Sequence, residues 1–238
     1  MFLTDIDRHS TYIKKMQKSP KDWENVGRCT SYTYFTHARK KVKFFLCIEV
    51  RKRPSPTFTH RTDKRGGFFT PIWNPWHGCT KYSTGCQNCY VYRIDATHGH
   101  NSTTVQKTAA FSLPMQRKRG GTLKLQPTGE PVYTCLSSDF FLPDADNWRP
   151  DIWAMIRFRS DLHFFIITKR LLRVAACLPP DWGTGYPNVT ICCTTENQQA
   201  ADERLPVLLQ LPICRKEIIC EPLLTPIQLS LIHISEPT

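Results

Sequence analysis

From Pro131 onward, short apolar runs alternate with helical stretches, and this rhythm limits the fold more than any other feature of the 238-residue chain. Val132–Leu136 (VYTCL), His163–Thr168 (HFFIIT), Asn188–Thr194 (NVTICCT) and Glu217–Cys220 (EIIC) have the β-branched and aromatic character of strands. Pro150–Phe158 places Pro150 at an early helical position and Asp151 in the first turn. Leu171–Leu178 reads as a short helix stopped by Pro179 and Pro180, and Gln198–Gln210 as a helix kinked at Pro206. One βα unit roughly every 30 residues calls for a parallel sheet with right-handed crossovers. HFFIIT is unbroken, as expected of a strand buried on both faces. No G-x-G-x-x-G follows any strand, so the α/β fold expected over residues 71–228 is a partial (βα), TIM-like barrel rather than a dinucleotide-binding sheet. Such a sheet gathers its polar strand ends on one rim, the place where barrel enzymes keep their active sites.

The net charge of +12 is unevenly distributed. Residues 1–70 hold 16 of the 32 Lys and Arg but only 6 of the 20 Asp and Glu, which excludes a uniformly basic body. Bursts at Lys40–Lys43, Arg51–Arg53 and Lys64–Arg65 mark a basic N-terminal extension. It is either a disordered or mistakenly assigned stretch, or an arm that holds nucleic acid. Within it KKVKFFLCIEV has the character of one strand, and RPSPTFTHRTDKRGG that of a linker. The last ten residues, Leu229–Thr238 (LSLIHISEPT), coincide with the translation of the end of a common transposase-based sequencing adapter. The native sequence is therefore expected to break off near Gln228, truncating the barrel and leaving its last parallel edge unpaired. No apolar run approaches the roughly 20 residues of a membrane span. No basic head and apolar stretch open the chain, so a cytoplasmic location without membrane attachment is expected.

Eleven cysteines in such a chain point to metal ligands, buried thiols, or both. Cys79-x6-Cys86-x2-Cys89 brings three together, with Gly78 and Gly85 each just before a cysteine, where the backbone must turn tightly. Three close thiolates serve tetrahedral zinc with a fourth ligand, an iron–sulfur cluster, or a redox dithiol. Only one C-x-x-C pair is present, and His77 lies awkwardly close to Cys79 for a fourth zinc ligand. Three cysteines leave one metal position unfilled, which is costly in a structural site and useful in a catalytic one. Cys192 and Cys193 lie within a strand and read as buried thiols.

Taken together, WNPWHGCTKYSTGCQNCYVYR, SSDFF, FFIITKR, NVTICCTTENQQAADERLP and ICEPLL resemble the phage Gp37/Gp68-type proteins. That three-Cys-motif family of unknown function is counted as similar to radical S-adenosylmethionine (SAM) enzymes. The resemblance covers roughly Trp73 to Gln228. It implies a [4Fe–4S] cluster on Cys79, Cys86 and Cys89, with SAM on the fourth iron. One electron from an external donor would cleave the sulfonium and give a 5′-deoxyadenosyl radical that takes hydrogen from an unknown substrate. It also places Ser137, Ser138 and Asp139 near the methionine end of SAM, and Thr195, Glu196 and Asn197 near ribose or substrate hydroxyls. Lys169 and Arg170 would meet a carboxylate or phosphate, and Glu221 holds a further strand-end position. The motif departs from the commonest spacing, C-x3-C-x2-C with an aromatic before the third cysteine. Asn88 stands at that place, and Tyr90, after Cys89, is the candidate to stack on adenine.

Duller roles are available to the same residues. Lys169 and Arg170 can be a solvated helix start, while Asp139, Glu196 and Asn197 can cap turns and helices. Trp73, Trp76 and His77 can simply pack around the cysteine loop. Two functional rivals accompany the enzyme reading: a structural zinc-binding module, and a nucleic-acid-associated phage or defence protein acting through its basic segment.

Overall fold

The computed structural model describes residues 71–229 together with two strands, Thr33–His37 (β1) and Val42–Leu46 (β2). Most of the basic extension and all but the first residue of the adapter-like tail lie outside the described residues. The chain divides into two compact units, and one of them, Met1–Ser31 with Val50–Lys52, also lies wholly outside them.

The other unit is mixed α/β. Its sheet contains Ile72–Trp73 (β3), Val132–Thr134 (β6), Phe164–Thr168 (β7), Val189–Thr194 (β8) and Arg215–Ile219 (β9), each parallel to the next. A separate two-stranded antiparallel ribbon pairs Trp76–His77 (β4) with Gln106–Lys107 (β5). Four helices are described: Tyr90–Thr97 (α1), Arg149–Phe158 (α2), Val174–Cys177 (α3) and Gln198–Gln210 (α4). From β3 through β6, β7 and β8 to β9 the strand order advances in one direction, so the carboxyl ends of these five described strands lie along one rim.

All six residues of β8 are buried, as are four of five in β7, because helices and loops cover both sheet faces. Tilted aromatic pairs, Trp73 with Phe164 and Trp76 with Phe140, link β3 and the ribbon to the core. In α2, Pro150 and Asp151 occupy the first turn and Arg157 the last, matching the helix dipole at both ends. The expected helix at Leu171–Leu178 divides into a 3-10 turn, Leu171–Arg173, and the short α3. The outer edge of β9, expected to be bare, is paired: Val42–Phe45 of β2 run parallel to Lys216–Ile219, and β1 pairs antiparallel with β2 beyond it.

Candidate functional site

The cysteine loop leaves the carboxyl end of β3 and is shaped by its own backbone. Gly78 has φ +93°, and a Cβ there would lie 2.2 Å from the Thr104 carbonyl oxygen, so no other residue fits. The Cys79 amide donates to the Ser102 carbonyl at 2.8 Å. Cys86 closes a 3-10 turn, Thr84–Cys86, and Cys89 is the N-cap residue of α1. The Tyr92 hydroxyl, one turn into α1, donates back to the Cys79 carbonyl. Beneath the loop His77 Nε2 meets Asp95 Oδ2 at 2.9 Å, and Ser102 donates to the same carboxylate. Burial pushes the Asp95 carboxyl up, but the hydrogen bonds from Ser102 and His77 outweigh it and hold it below the ordinary range.

The strand-end residues reach this loop. Asp139 accepts from the Thr168 hydroxyl at 2.9 Å and the Lys169 amide at 3.2 Å, and pairs with Arg170 Nη1 at 3.7 Å. Arg170 Nη2 then donates to the Thr80 carbonyl at 2.7 Å and its hydroxyl at 2.9 Å, fastening the end of β7 to the cysteine loop. Glu196, after β8, pairs with Arg204 of α4 at 2.8 Å, both side chains being almost wholly buried. Arg204 also donates to the Thr194 carbonyl at 2.7 Å. The Gly85 amide faces Glu196 Oε1 at 3.4 Å, and a Cβ on Gly85 would come within 3.0 Å of the Glu196 carboxyl carbon. Tyr82 lies between the pairs, with Arg170 5.1 Å and Arg204 5.5 Å from its ring centre. Two buried ion pairs and one ring thus fix the loop to the rim.

A family model described as "Protein of unknown function (DUF5131)" matches residues 67–235. The chain belongs to this family. No curated protein and no solved structure matches it. The match spans every element of the DUF5131 site, from the cysteine loop through Arg204 to Glu221.

In this DUF5131 chain the remaining residues singled out in the sequence fall into three groups. Ser137 and Ser138 join Asp139 in holding the loop: the Ser138 hydroxyl donates to the Gly78 carbonyl and the Ser137 amide to Asn74 Oδ1 at 3.3 Å. Thr195 and Asn197 are used within the fold. The buried Thr195 lies 3.4 Å from the Cys220 sulfur, and Asn197 caps α4 by accepting from the Ala200 amide while touching Thr84. Tyr90, Lys169 and Glu221 stay partly open at the rim. The Tyr90 hydroxyl donates to the Leu136 carbonyl at 2.6 Å; burial, then Cys89 and Glu221, push that phenol up to about 12. Arg204 and Tyr82 were missed in the sequence. Arg204 had a signal, because it lies on the apolar stripe of α4 with Ala201, Leu205 and Leu208, where a charge demands a buried partner. Tyr82, flanked by polar residues, had none.

Cys79, Cys86 and Cys89 are free and half-buried, unlike Cys135, Cys192 and Cys193, which are buried. Burial, then Asp139, pushes the Cys79 thiol up to about 12, against the lowering effect of Arg170. Among the described residues no three His, Cys, Asp or Glu side chains are drawn together as a ready metal cage. The donor set itself suits a soft metal centre: three thiols on one loop, none tied to another side chain, and binding that would displace their protons. At the rim Cys135 follows β6 in the left-handed region, φ +63°, an uncommon conformation for a residue with a Cβ.

Proposed function

We propose that this DUF5131 chain is a radical SAM-like iron–sulfur protein of the Gp37/Gp68 type, acting on an unidentified substrate with an external electron donor. The observation that carries the reading is the attachment of a three-thiol loop to a continuous rim of parallel strand ends by two buried ion pairs. A loop needed only as a connection has no use for Arg170 and Arg204 at such desolvation cost. The one-way strand order supports the finer fold expectation, a partial (βα) barrel, and its rim is where that fold does chemistry. Among the described residues no helix is long and apolar enough to cross a membrane; a cytoplasmic location belongs to the same proposal.

Cys79, Cys86 and Cys89 would hold the cluster and leave one metal position for SAM. When bound, the pair supplies one-electron reductive cleavage of the sulfonium. The chain's own contribution is positional. Arg170 orders Thr80 next to the first ligand, and Glu196 with Gly85 orders the turn carrying the second. Tyr90, Lys169 and Glu221 give the open part of the rim a ring, a cation and an anion for cofactor and substrate.

One observation favours a zinc module as the second reading. His77 holds Asp95 through Nε2, the carboxylate–histidine pairing common behind metal-bound imidazoles, and this leaves Nδ1 available. Anaerobic reconstitution of the full chain with iron and sulfide, followed by visible absorption, separates the two. A brown protein whose charge-transfer absorption disappears in C86A and C89A supports the cluster. A colourless protein that retains stoichiometric zinc overturns it.

A further inference from the structure

Between Asp95 and Glu130 the chain has no carboxylate but carries Lys107, Arg117, Lys118, Arg119 and Lys124. Lys107 lies over the Phe111 ring at 4.0 Å and faces Trp148 at 5.7 Å. The other four are exposed on a small hairpin. Arg117 bridges antiparallel to Leu123, the Lys118 amide donates to the Thr122 carbonyl at 2.8 Å, and the Lys124 amide to the Gln116 carbonyl at 2.7 Å. Arg117 also donates to the Gly121 carbonyl at 2.6 Å, and Lys124 to Gln116 Oε1 at 3.0 Å. Among the described residues none of the four is in an ion pair, and the Lys118 and Arg119 side chains make no hydrogen bond.

This hairpin is built rather than merely tolerated. Its two feet, Pro114 and Leu125, are buried, and their carbonyls accept from Arg159 at 2.6 and 2.8 Å. Arg159 is 2% exposed and pairs with Asp161 at 2.7 Å. A buried arginine is an expensive anchor, and here it fixes where a cluster of bare cations stands. Arg159 follows α2 and precedes β7, so the feet lie at the opposite end of the strands from the cysteine loop.

We infer that this hairpin is a nucleic-acid docking surface that grips the phosphate backbone. Its tip, residues 117–122, carries no large apolar side chain, whereas a protein partner needs apolar or aromatic anchors at the centre of its interface. A phosphate backbone needs only closely spaced cations and amide donors, and Arg117, Lys118 and Arg119 are consecutive in the chain. Because the grip is on the phosphate backbone, the duplex affinity should depend on salt far more than on base sequence. The surface is also independent of the cysteine chemistry, and distinct from the basic segment before residue 70.

The test is fluorescence anisotropy of the full chain with a labelled mixed-sequence duplex and with its single strand, at KCl from about 50 to about 200 mM. K118Q/R119Q should make the plot of log affinity against log salt shallower by about 2, because roughly one unit of slope accompanies each lost phosphate contact. K118E/R119E, which touches none of the hairpin's own hydrogen bonds, should weaken binding at least tenfold without moving the thermal midpoint. In K40Q/K41Q/K43Q the hairpin-dependent share of the slope should remain. Unchanged affinity and slope in both hairpin variants overturn the assignment. So does a chain that ignores both nucleic acids yet binds poly-glutamate through the hairpin, which would identify an acidic protein as the partner.

Discussion

Replacing Arg204 with methionine tests the contact beneath the cysteine loop. The substitution keeps most of the side-chain volume but removes both bonds to Glu196, at 2.8 and 3.2 Å, and the bond to the Thr194 carbonyl. The two side chains are 2% and 1% exposed, so water cannot replace the guanidinium. Breaking a buried pair from one side costs about 3–5 kcal/mol. For a chain of this length that lowers the thermal midpoint by on the order of 10 °C. The pH dependence adds a second signature. In the intact protein burial pushes the Glu196 carboxyl up, but Arg204 holds it below the ordinary range. Its stabilisation is therefore present above the unfolded-state value and is lost as pH falls through the lower folded value. In R204M burial wins, the carboxyl titrates above its ordinary range, and the penalty grows as pH rises. The gap between the two proteins should accordingly narrow in mildly acid buffer. Urea unfolding at neutral and mildly acid pH measures both effects, and E196Q/R204M should recover roughly 1–3 kcal/mol of the loss by removing the stranded charge. A cost below about 1 kcal/mol in R204M, or a gap that widens on acidification, refutes the buried-pair reasoning.

Gly85→Ala puts a methyl about 3.0–3.1 Å from three Glu196 atoms and should cost about 1–3 kcal/mol, measured by thermal unfolding, with G85A/E196D recovering part of it. Asp95→Asn removes a carboxylate that Ser102 and His77 hold below its ordinary range, so the stability difference from the parent should be largest above the unfolded carboxylate value and shrink as pH falls through the folded one. Brief iodoacetamide treatment of the native chain, read by peptide mass spectrometry, should label the half-buried Cys79, Cys86 and Cys89 ahead of Cys135 and Cys192, which are buried and whose thiols burial pushes up. Equal labelling of all five would contradict the burial pattern.

Where local chemistry sets an element, the sequence made it legible. The helix expected at Gln198–Gln210 matches α4 at both ends, since Asn197 is a strong cap and Pro206, only two turns in, does not stop the helix. β7 was visible as an unbroken apolar run and β8 as a strand-like one. β9 starts two residues earlier than expected, at Arg215, because ladder pairing with Thr190 and Ile191 of β8 recruits two cations that have no strand signal of their own. Of the site, the three cysteines and the strand-end positions were legible, but their division of labour was not. Glu196 and Arg170 looked free for ligand, yet each meets a partner 90 or more residues distant, Gly85 and Thr80, and no local pattern encodes such a meeting. The hairpin at 116–124 was not singled out in the sequence, and its footing on Arg159 is a tertiary fact.

Those same separations say something about how the protein is made. The loop is translated first, but Ser138, Arg170 and Glu196 lie 60, 90 and 111 residues downstream of the loop atoms they hold. On a ribosome adding about 5–20 residues per second, the thiols emerge roughly 3–22 seconds before these strand-end residues can hold their loop. A nascent chain therefore presents three unprotected sulfurs to oxidants and stray metals throughout that interval, and only completion of β8 and α4 ends it.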